Sequence, residues 1–516
     1  MRLLTLLLCF CAAPLEAAPR EALRLPAGLV ISSITIDANN VFETELPAEN
    51  KILYRAANRI HRITRDPVIM RELLFAVGDL YNTALVAETE RNLRALPYIR
   101  RAEIEPVITK NGTVDIIVHT YDSWTLELVV GYKRAGGATS MKAGIAEENI
   151  MGQGKSGSAV YSNDWGAASA DLKYKDRQLL NYKRLQYSMA AHTSAGNKAL
   201  SVLLERPFYA SIARSAMGGT AGYTEAPYGD FSRRTAEAGV NYGISMKPSA
   251  ERTRRFKFGL LARRAESTGP VPAAERAVIF QLGAELEELD FLTVRRINKF
   301  THDEDYNLGL GIFPSVGLAP AIGALGATQT QIIPGVKVSK GLTWGTQLLL
   351  LNGSYSSSYA NGDNNGLKAA FNASYFLRGL KYQTLALHLG LDLGWRLDPA
   401  QPLTLGEFNG LRGYGVDQFT GSRRFLLNLE DRVYVWDNLF QLLDIGTVFF
   451  FDSGYVWPSS GAVKLSDLKN SVGLGLRVAP SRSANNSPVR IDLARSLNGT
   501  PARPDWSLSI LGGQAF

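Results

Sequence analysis

Beyond Trp124 apolar and polar residues alternate in short runs, and the runs are broken by Gly, Asn and Asp. In Trp124-Thr125-Leu126-Glu127-Leu128-Val129-Val130-Gly131-Tyr132, the side chains of Trp124, Leu126, Leu128, Val130 and Tyr132 share one face. Thr125 and Glu127 fall on the other. A two-residue period with bulk on one side predicts strands that separate an apolar phase from water. A run of this length with aromatic ends suits a tilted strand crossing a bilayer. The same alternation recurs at 185–191, at 424–435 and at the end of the chain. There Trp506, Leu508, Ile510 and Phe516 are expected to face out, and Ser507 and Ser509 in. The pattern predicts a mainly β chain whose residues 124–516 form an antiparallel transmembrane barrel of roughly sixteen strands, an even number as such barrels require.

Residues 28–122 read differently. Val30–Ile36 predicts a strand. Pro67–Val77 predicts a helix, with Asp66 as its cap, Gly78 at its exit and Leu73, Leu74 and Val77 as its apolar stripe. A second helix is expected over Leu85–Leu96, stopped by Pro97. Strands at Ala102–Ile108 and Val114–Thr120 flank Lys110-Asn111-Gly112, a strong hairpin signal. The order is strand, helix, helix, strand, strand, interrupted by an insertion at 44–64 that is helical around Leu53–Ile63 and has no role legible in its residues.

Met1-Arg2, an apolar run over Leu3–Ala13 and small residues at Ala17 and Ala18 read as a signal peptide over 1–18. Cys9 and Cys11, the two cysteines of the chain, lie inside it. The mature protein is therefore expected to have no thiol for catalysis or for a zinc site. No later segment is long and apolar enough for a membrane helix. The 48 glycines, 21 tyrosines and 21 phenylalanines fit a barrel better. The net charge of +8 is modest for 516 residues. Gly152-Gln153-Gly154-Lys155-Ser156 lacks the first glycine of a phosphate loop, and no helix is expected after it. The histidines show no metal spacing. Glu147-Glu148 and Asp303-Glu304-Asp305 read as solvated loops or strand ends. There is no nucleic-acid motif, cofactor motif or Ser/His/Asp arrangement, so no enzyme activity, cofactor or metal is expected.

Three blocks late in the chain carry more specific information: Leu411-Arg412-Gly413-Tyr414, Phe450-Phe451-Asp452-Ser453-Gly454 and Arg490-Ile491-Asp492-Leu493-Ala494. With Asn149–Gly154, Glu205–Tyr209 and the terminal Phe516, they resemble the superfamily of outer-membrane assembly and secretion barrels. That superfamily includes the BamA/TamA-like bacterial surface antigen family and the two-partner-secretion transporters. The region over 28–122, with Glu90–Leu96 leading into Ile104-Glu105-Pro106, resembles a single POTRA-like periplasmic domain.

The resemblance implies that 411–414 is the tip of a long extracellular loop folded into the lumen. Phe450-x-Asp452-x-Gly454 would receive it, and Arg490-x-Asp492-x-Ala494 would lie on the penultimate strand. Arg412, Gly413, Tyr414, Asp452, Gly454, Arg490 and Asp492 would then form a loop lock. Independently of family, a guanidinium can grip a carboxylate with two donors. Such a pair contributes about 0–1 kcal/mol in open water, and removing one partner costs about 3–5 kcal/mol where water is excluded. The resemblance also implies a lateral gate between the first and last strands, involving Trp124, Tyr132, Gly512, Gly513 and Phe516, with the C-terminal residues as the protein's own assembly signal. Gly512-Gly513 reads equally as a kink needed only for closure.

The expected function is insertion or translocation of other polypeptides at the bacterial outer membrane. The expected partners are unfolded client chains, outer-membrane lipid or lipopolysaccharide, and periplasmic accessory proteins. Two alternatives stay open: a two-partner-secretion transporter, and a passive pore or structural barrel.

Overall fold

The computed structural model describes residues 28–516 except 136–137, 165–166, 229–230, 269–272, 326, 328, 398–400, 484–485 and 499–505. The expected leader, with Cys9 and Cys11, lies outside the described residues, as does the side chain of Tyr132.

Strand Arg252–Thr268 shows how the alternation builds the wall. Phe256, Phe258 and Leu260 are exposed on the outer face. The intervening Arg255 and Lys257 turn inward, and both pair with Glu285 of the neighbouring strand. Among the described residues twenty strands join in this way into one antiparallel sheet that curls back on itself. The first barrel strand, Leu126–Ala135, comes to lie beside the last, Trp506–Gly512. The outside is a broad apolar belt in which Leu128 and Val130 are 78% and 81% exposed. A monomer in water rarely shows a continuous apolar surface of that extent.

The strand number corrects the expectation of about sixteen. Strands before Arg206 are 9 or 10 residues long, whereas Asp363–Leu380 has 18. A count at uniform spacing therefore merges short hairpins.

Ahead of the barrel, β1 (Ile31–Asn39), β2 (Ile99–Ile108) and β3 (Val114–Asp122) form a sheet in the order β1-β3-β2, with β1 parallel to β3. Gly112 supplies the left-handed turn of the β2–β3 hairpin at φ +75°. Three helices, α1 (Ile52–Ile60), α2 (Asp66–Met70) and α3 (Thr83–Arg94), follow β1. Asn82 caps α3 by accepting from the N–H groups of Ala84 and Leu85. Val86 and Leu93 then enter a core with Ile69, Leu73, Ile116 and Val118.

α2 is one turn, not the expected run to Val77, and Val77 is exposed. Asp66 lies inside α2 and does not cap it. Arg184, from a barrel loop, donates to the carbonyl of Glu72 at 2.6 Å and pairs with its carboxylate. It thereby takes a backbone acceptor that a longer helix would use internally.

Loops between barrel strands meet this small unit on one rim. Gln178 Nε2 donates to the Val68 carbonyl at 3.1 Å, and the Ser211 hydroxyl donates to Glu88 at 2.6 Å. This is the domain-side rim, and the opposite end is the distal rim.

Candidate functional site in the barrel lumen

Four neighbouring strands carry the polar side of the lumen: Arg423–Leu439, Leu443–Trp457, Lys469–Pro480 and Val489–Ser496. Their register stacks inward-facing residues in rows. Asn428 lies opposite Asp452, which lies opposite Ser471. Glu430 lies opposite Phe450, then Gly473, then Ala494. Gly475 lies opposite Asp492, and Arg477 opposite Arg490.

The glycines make room for their neighbours. A Cβ on Gly473 would run into the Phe450 ring and the Leu493 carbonyl. Gly473→Ala is therefore expected to overpack the wall and cost about 1–3 kcal/mol, read as a lower urea midpoint for barrel unfolding.

The long distal connection, described over 401–422, folds down onto these rows. It is braced by a short pair, Leu403–Leu405 with Phe419–Gly421. Leu405, Leu411 and Tyr414 pack against Leu426 and Val456 of the wall. Arg412, 1% exposed, sits at the tip. Its Nε and Nη2 donate to the two oxygens of Asp452, each at 2.7 Å. Its Nη1 donates to Glu430 at 2.7 Å, and its guanidinium lies 3.6 Å from the Phe450 ring centroid. Asn428 holds Asp452 from the far side and also donates to the Gly410 carbonyl, both at 2.7 Å.

Gly413 takes φ +86°, and its N–H donates to Glu407 at 2.8 Å. Glu407 also accepts from Ser507 of the last strand at 3.1 Å. The Tyr414 hydroxyl donates to the Asn470 carbonyl at 2.8 Å. The loop is thus fastened both to the wall and to the closing strand.

A second segment closes the domain-side mouth. The connection over 289–310 forms a hairpin of Phe291–Val294 and Glu304–Asn307. Val294, Ile297 and Leu308 pack on the inward-facing Leu348, Phe376 and Ala386. Phe300 meets Tyr434 edge to face at 5.2 Å. Glu304 brackets the hairpin tip, accepting from the N–H groups of Ile297, Asn298 and Lys299. On the barrel side, Arg432 donates to the Ile297 carbonyl at 2.6 Å, and Thr301 donates to Asp444 at 2.9 Å. On the small-unit side, Arg94 of α3 grips Asp305 at 2.8 Å, and Arg91 lies 4.1 Å from the Phe291 ring centroid.

The two segments meet at one carboxylate. Glu430 accepts from Arg412 of the distal loop at 2.7 Å and from Arg432, the residue holding the hairpin, at 2.8 Å. Arg477 comes within 3.9 Å of Glu430 and pairs with Asp492 at 2.5 Å. Glu430, Asp452 and Asp492 face Arg412, Arg432 and Arg477, and none of the six is more than 3% exposed. Buried charges persist only when paired and hydrogen-bonded in this way.

The hairpin has its own pH sensitivity. Both ring nitrogens of His302 are shut off from solvent without a hydrogen bond. Burial, with Lys299, Arg100, Arg482 and Arg295 nearby, pushes the ring down to about 3. A released hairpin would take up that proton near the ordinary value of about 6.5. Docking is therefore fully favoured above about pH 6.5 and weakens as pH falls toward 3. Burial holds the Glu304 carboxyl above its ordinary value, a weaker effect of opposite sign confined to the carboxylate range. Hydrogen-exchange protection of 295–303 is expected to fall between about pH 7 and 5 in the native chain, and to stay flat over that window in His302→Asn.

Of the residues singled out from the sequence, Arg412, Gly413, Tyr414, Asp452 and Asp492 come together, and Gly454 lies beneath Leu405 of the loop. Arg490 meets the cluster from its edge and not the loop. It lies level with Arg477, one inward position closer to the domain-side rim than Asp492, and among the described residues it pairs with Asp492, at 3.8 Å. Trp124 precedes the first barrel strand and is not part of the belt. Its N–H donates to the Arg482 carbonyl at 2.6 Å, and its ring packs by Phe42, Tyr54 and Leu442.

Phe516 does not face out. Gly512 ends the last strand, and Gly513 at φ +86° turns the tail into the lumen. There the Phe516 ring stacks on His388 at 5.2 Å and lies 4.9 Å from the Arg432 guanidinium. Asp303-Glu304-Asp305 stands at a strand end, the start of Glu304–Asn307, but is not solvated, since Glu304 is buried and Asp305 is gripped by Arg94.

The site also includes Glu430, Asn428, Glu407, Arg432 and Arg477, which the sequence motifs do not single out. Asn428, Glu430 and Arg432 carry a signal on strand 423–439, where they fall on one face opposite Leu427, Leu429 and Val433 although Asp431 interrupts the pattern; Glu407 in the loop and Arg477 on another strand carry none there.

No family model and no curated protein matches the sequence. Among solved structures the chain is similar to BamA from Haemophilus ducreyi lacking POTRA domains 1–3, at 13% identity and TM-score 0.40, covering 94% of this chain and 83% of that one. It is also similar to CdiB from Acinetobacter baumannii, at 12% identity and TM-score 0.48, covering 94% and 74%. The match to CdiB from Escherichia coli has 11% identity and TM-score 0.49, covering 97% and 93%.

Proposed function

We propose that this chain is an outer-membrane barrel of the assembly and secretion superfamily, one that inserts client polypeptides into the outer membrane or passes them across it. In this reading residues 124–516 span the membrane. Residues 28–122 form a POTRA-like unit in the periplasm, and the distal rim faces outside. The single observation that carries the reading is the burial of Arg412 between Asp452 and Glu430 inside the lumen. A passive pore has no use for a fully desolvated ion cluster that fastens a loop across its own channel.

The cluster acts as a latch with two arms. The distal loop holds the outer side and the hairpin over 291–307 holds the inner side, and Glu430 serves both. α3 of the small unit grips the hairpin through Arg94 and Asp305. A client bound at the periplasmic unit therefore has a physical route to the latch.

The seam between Leu126–Ala135 and Trp506–Gly512 is the lateral gate. The loop reaches its last strand through Glu407 and Ser507, so releasing the loop also loosens the seam. Client insertion needs no nucleotide, because closing a strand edge satisfies backbone groups that hydrocarbon cannot. The protein performs no bond chemistry.

Depletion followed by outer-membrane proteomics tests this. Loss of several barrel proteins supports assembly. Loss of one secreted protein moves the reading to a dedicated secretion transporter. An unchanged proteome, with full export, leaves a structural barrel and refutes the proposal.

A further inference from the structure

The insertion at 44–64 folds into α1 and its flanks, and α1 has three distinct sides. At about 100° per residue, Tyr54, Ala57 and Asn58 share the first. Tyr54 stacks on Phe42 at 4.6 Å, and its hydroxyl donates to the Phe440 carbonyl. Asn58 donates to the Phe42 carbonyl at 2.8 Å. The second side is apolar and bare: Ile52, Leu53 and Ile60 are 80%, 64% and 69% exposed, with exposed Ala56 among them. The third carries Lys51, Arg55 and Arg59, all exposed.

A stripe of this kind is costly in water unless something apolar covers it. Its position indicates what does. α1 is pinned to turns of the domain-side rim, through Tyr54 to the Phe440 carbonyl and through Glu49 to Arg482. Phe440 and Trp436, at the domain-side end of strand 423–439, are themselves exposed. The bare stripe therefore begins where the outer apolar belt ends. An apolar face flanked by cations matches the boundary between acyl chains and anionic headgroups.

We propose that α1 is an interfacial helix, lying in the headgroup layer of the leaflet on the small unit's side. Ile52, Leu53 and Ile60 point toward the acyl chains, and Lys51, Arg55 and Arg59 rest on anionic phospholipid. The helix anchors the small unit to the bilayer beneath the seam, next to Trp124. This rests on the membrane reading of the barrel.

The test uses the full chain with Cys9 and Cys11 changed to Ser, in nanodiscs containing anionic phospholipid. Single cysteines at Leu53→Cys, Val130→Cys and Lys110→Cys carry a polarity-sensitive fluorophore. Val130 marks the belt, and Lys110 marks the exposed β2–β3 turn. The probe at 53 is expected to emit to the blue and to be quenched by nitroxide-labelled lipid, as at 130 and unlike at 110. Changing Lys51, Arg55 and Arg59 together to Gln is expected to remove the quenching at 53 while leaving it at 130. Retained heat-modifiable migration shows that the variants fold.

Quenching at 130 with a water-like signal at 53 overturns the proposal and keeps the membrane reading. No quenching at 130 removes the membrane reading and the proposal with it. Cross-linked dimers through position 53, or a blue shift there only when a client chain is added, assign the stripe to a second copy or to the client and also overturn it.

Discussion

Arg412→Ala opens the distal loop to protease, with a larger effect than any conservative change in the cluster. Arg412 donates to both oxygens of Asp452 and to one oxygen of Glu430. Truncating it leaves Asp452 shut away from water without its cation and takes from Glu430 one of the cations it shares with Arg432. Breaking a buried pair from one side costs about 3–5 kcal/mol, which corresponds to a loop released roughly a hundredfold to several thousandfold more often. Cleavage within 401–422 is the readout, followed over time on barrels in detergent or lipid.

Arg412→Lys should recover little of the protection. An ammonium is a point charge and cannot fork across Asp452 while also reaching Glu430 and lying flat on Phe450. Wild-type rates of loop cleavage in Arg412→Ala would show that the ion pair does not hold the loop.

Glu430→Gln is expected to release both arms at once. The amide keeps the shape but withdraws the charge shared by Arg412 and Arg432. Asp452→Asn is the informative partner, because Asp452 touches the loop and Asn428 but not the residues that hold the hairpin. Hydrogen exchange should therefore rise in both 401–422 and 291–307 for Glu430→Gln, and in 401–422 alone for Asp452→Asn. Groups sharing one network couple by about 0.5–3 kcal/mol, so Arg412→Ala and Arg432→Ala combined should cost less than the sum of the two. Additive costs, or exchange confined to the loop in Glu430→Gln, would separate the arms and reduce the hairpin to a rim decoration.

Much of this was written in the alternation. A period of two with Leu128 and Val130 on one side and Glu127 on the other is enough to define a wall; that Arg412 meets Asp452 inside it is implied by the resemblance of their motifs, not by the alternation. The rest required register. Arg490 carries the right charge on the right face, yet strand pairing sets it level with Arg477 and away from the loop. Two residues along a strand shift a side chain by about 6.6 Å, beyond the reach of a hydrogen bond. The outward alternation of Trp506 and Leu508 does not carry on to Phe516, because the positive φ of Gly513 breaks it. The hairpin over 291–307 could not be seen as a plug. Its partners Leu348, Phe376, Arg432 and Asp444 come from four separate strands, and nothing local links them.

Single-channel conductance in planar bilayers tests the latch most directly. The account predicts long closed intervals for the native chain and frequent, large openings for Arg412→Ala and for Glu430→Gln. A native channel that conducts freely, or variants that stay as closed as the native chain, would contradict it.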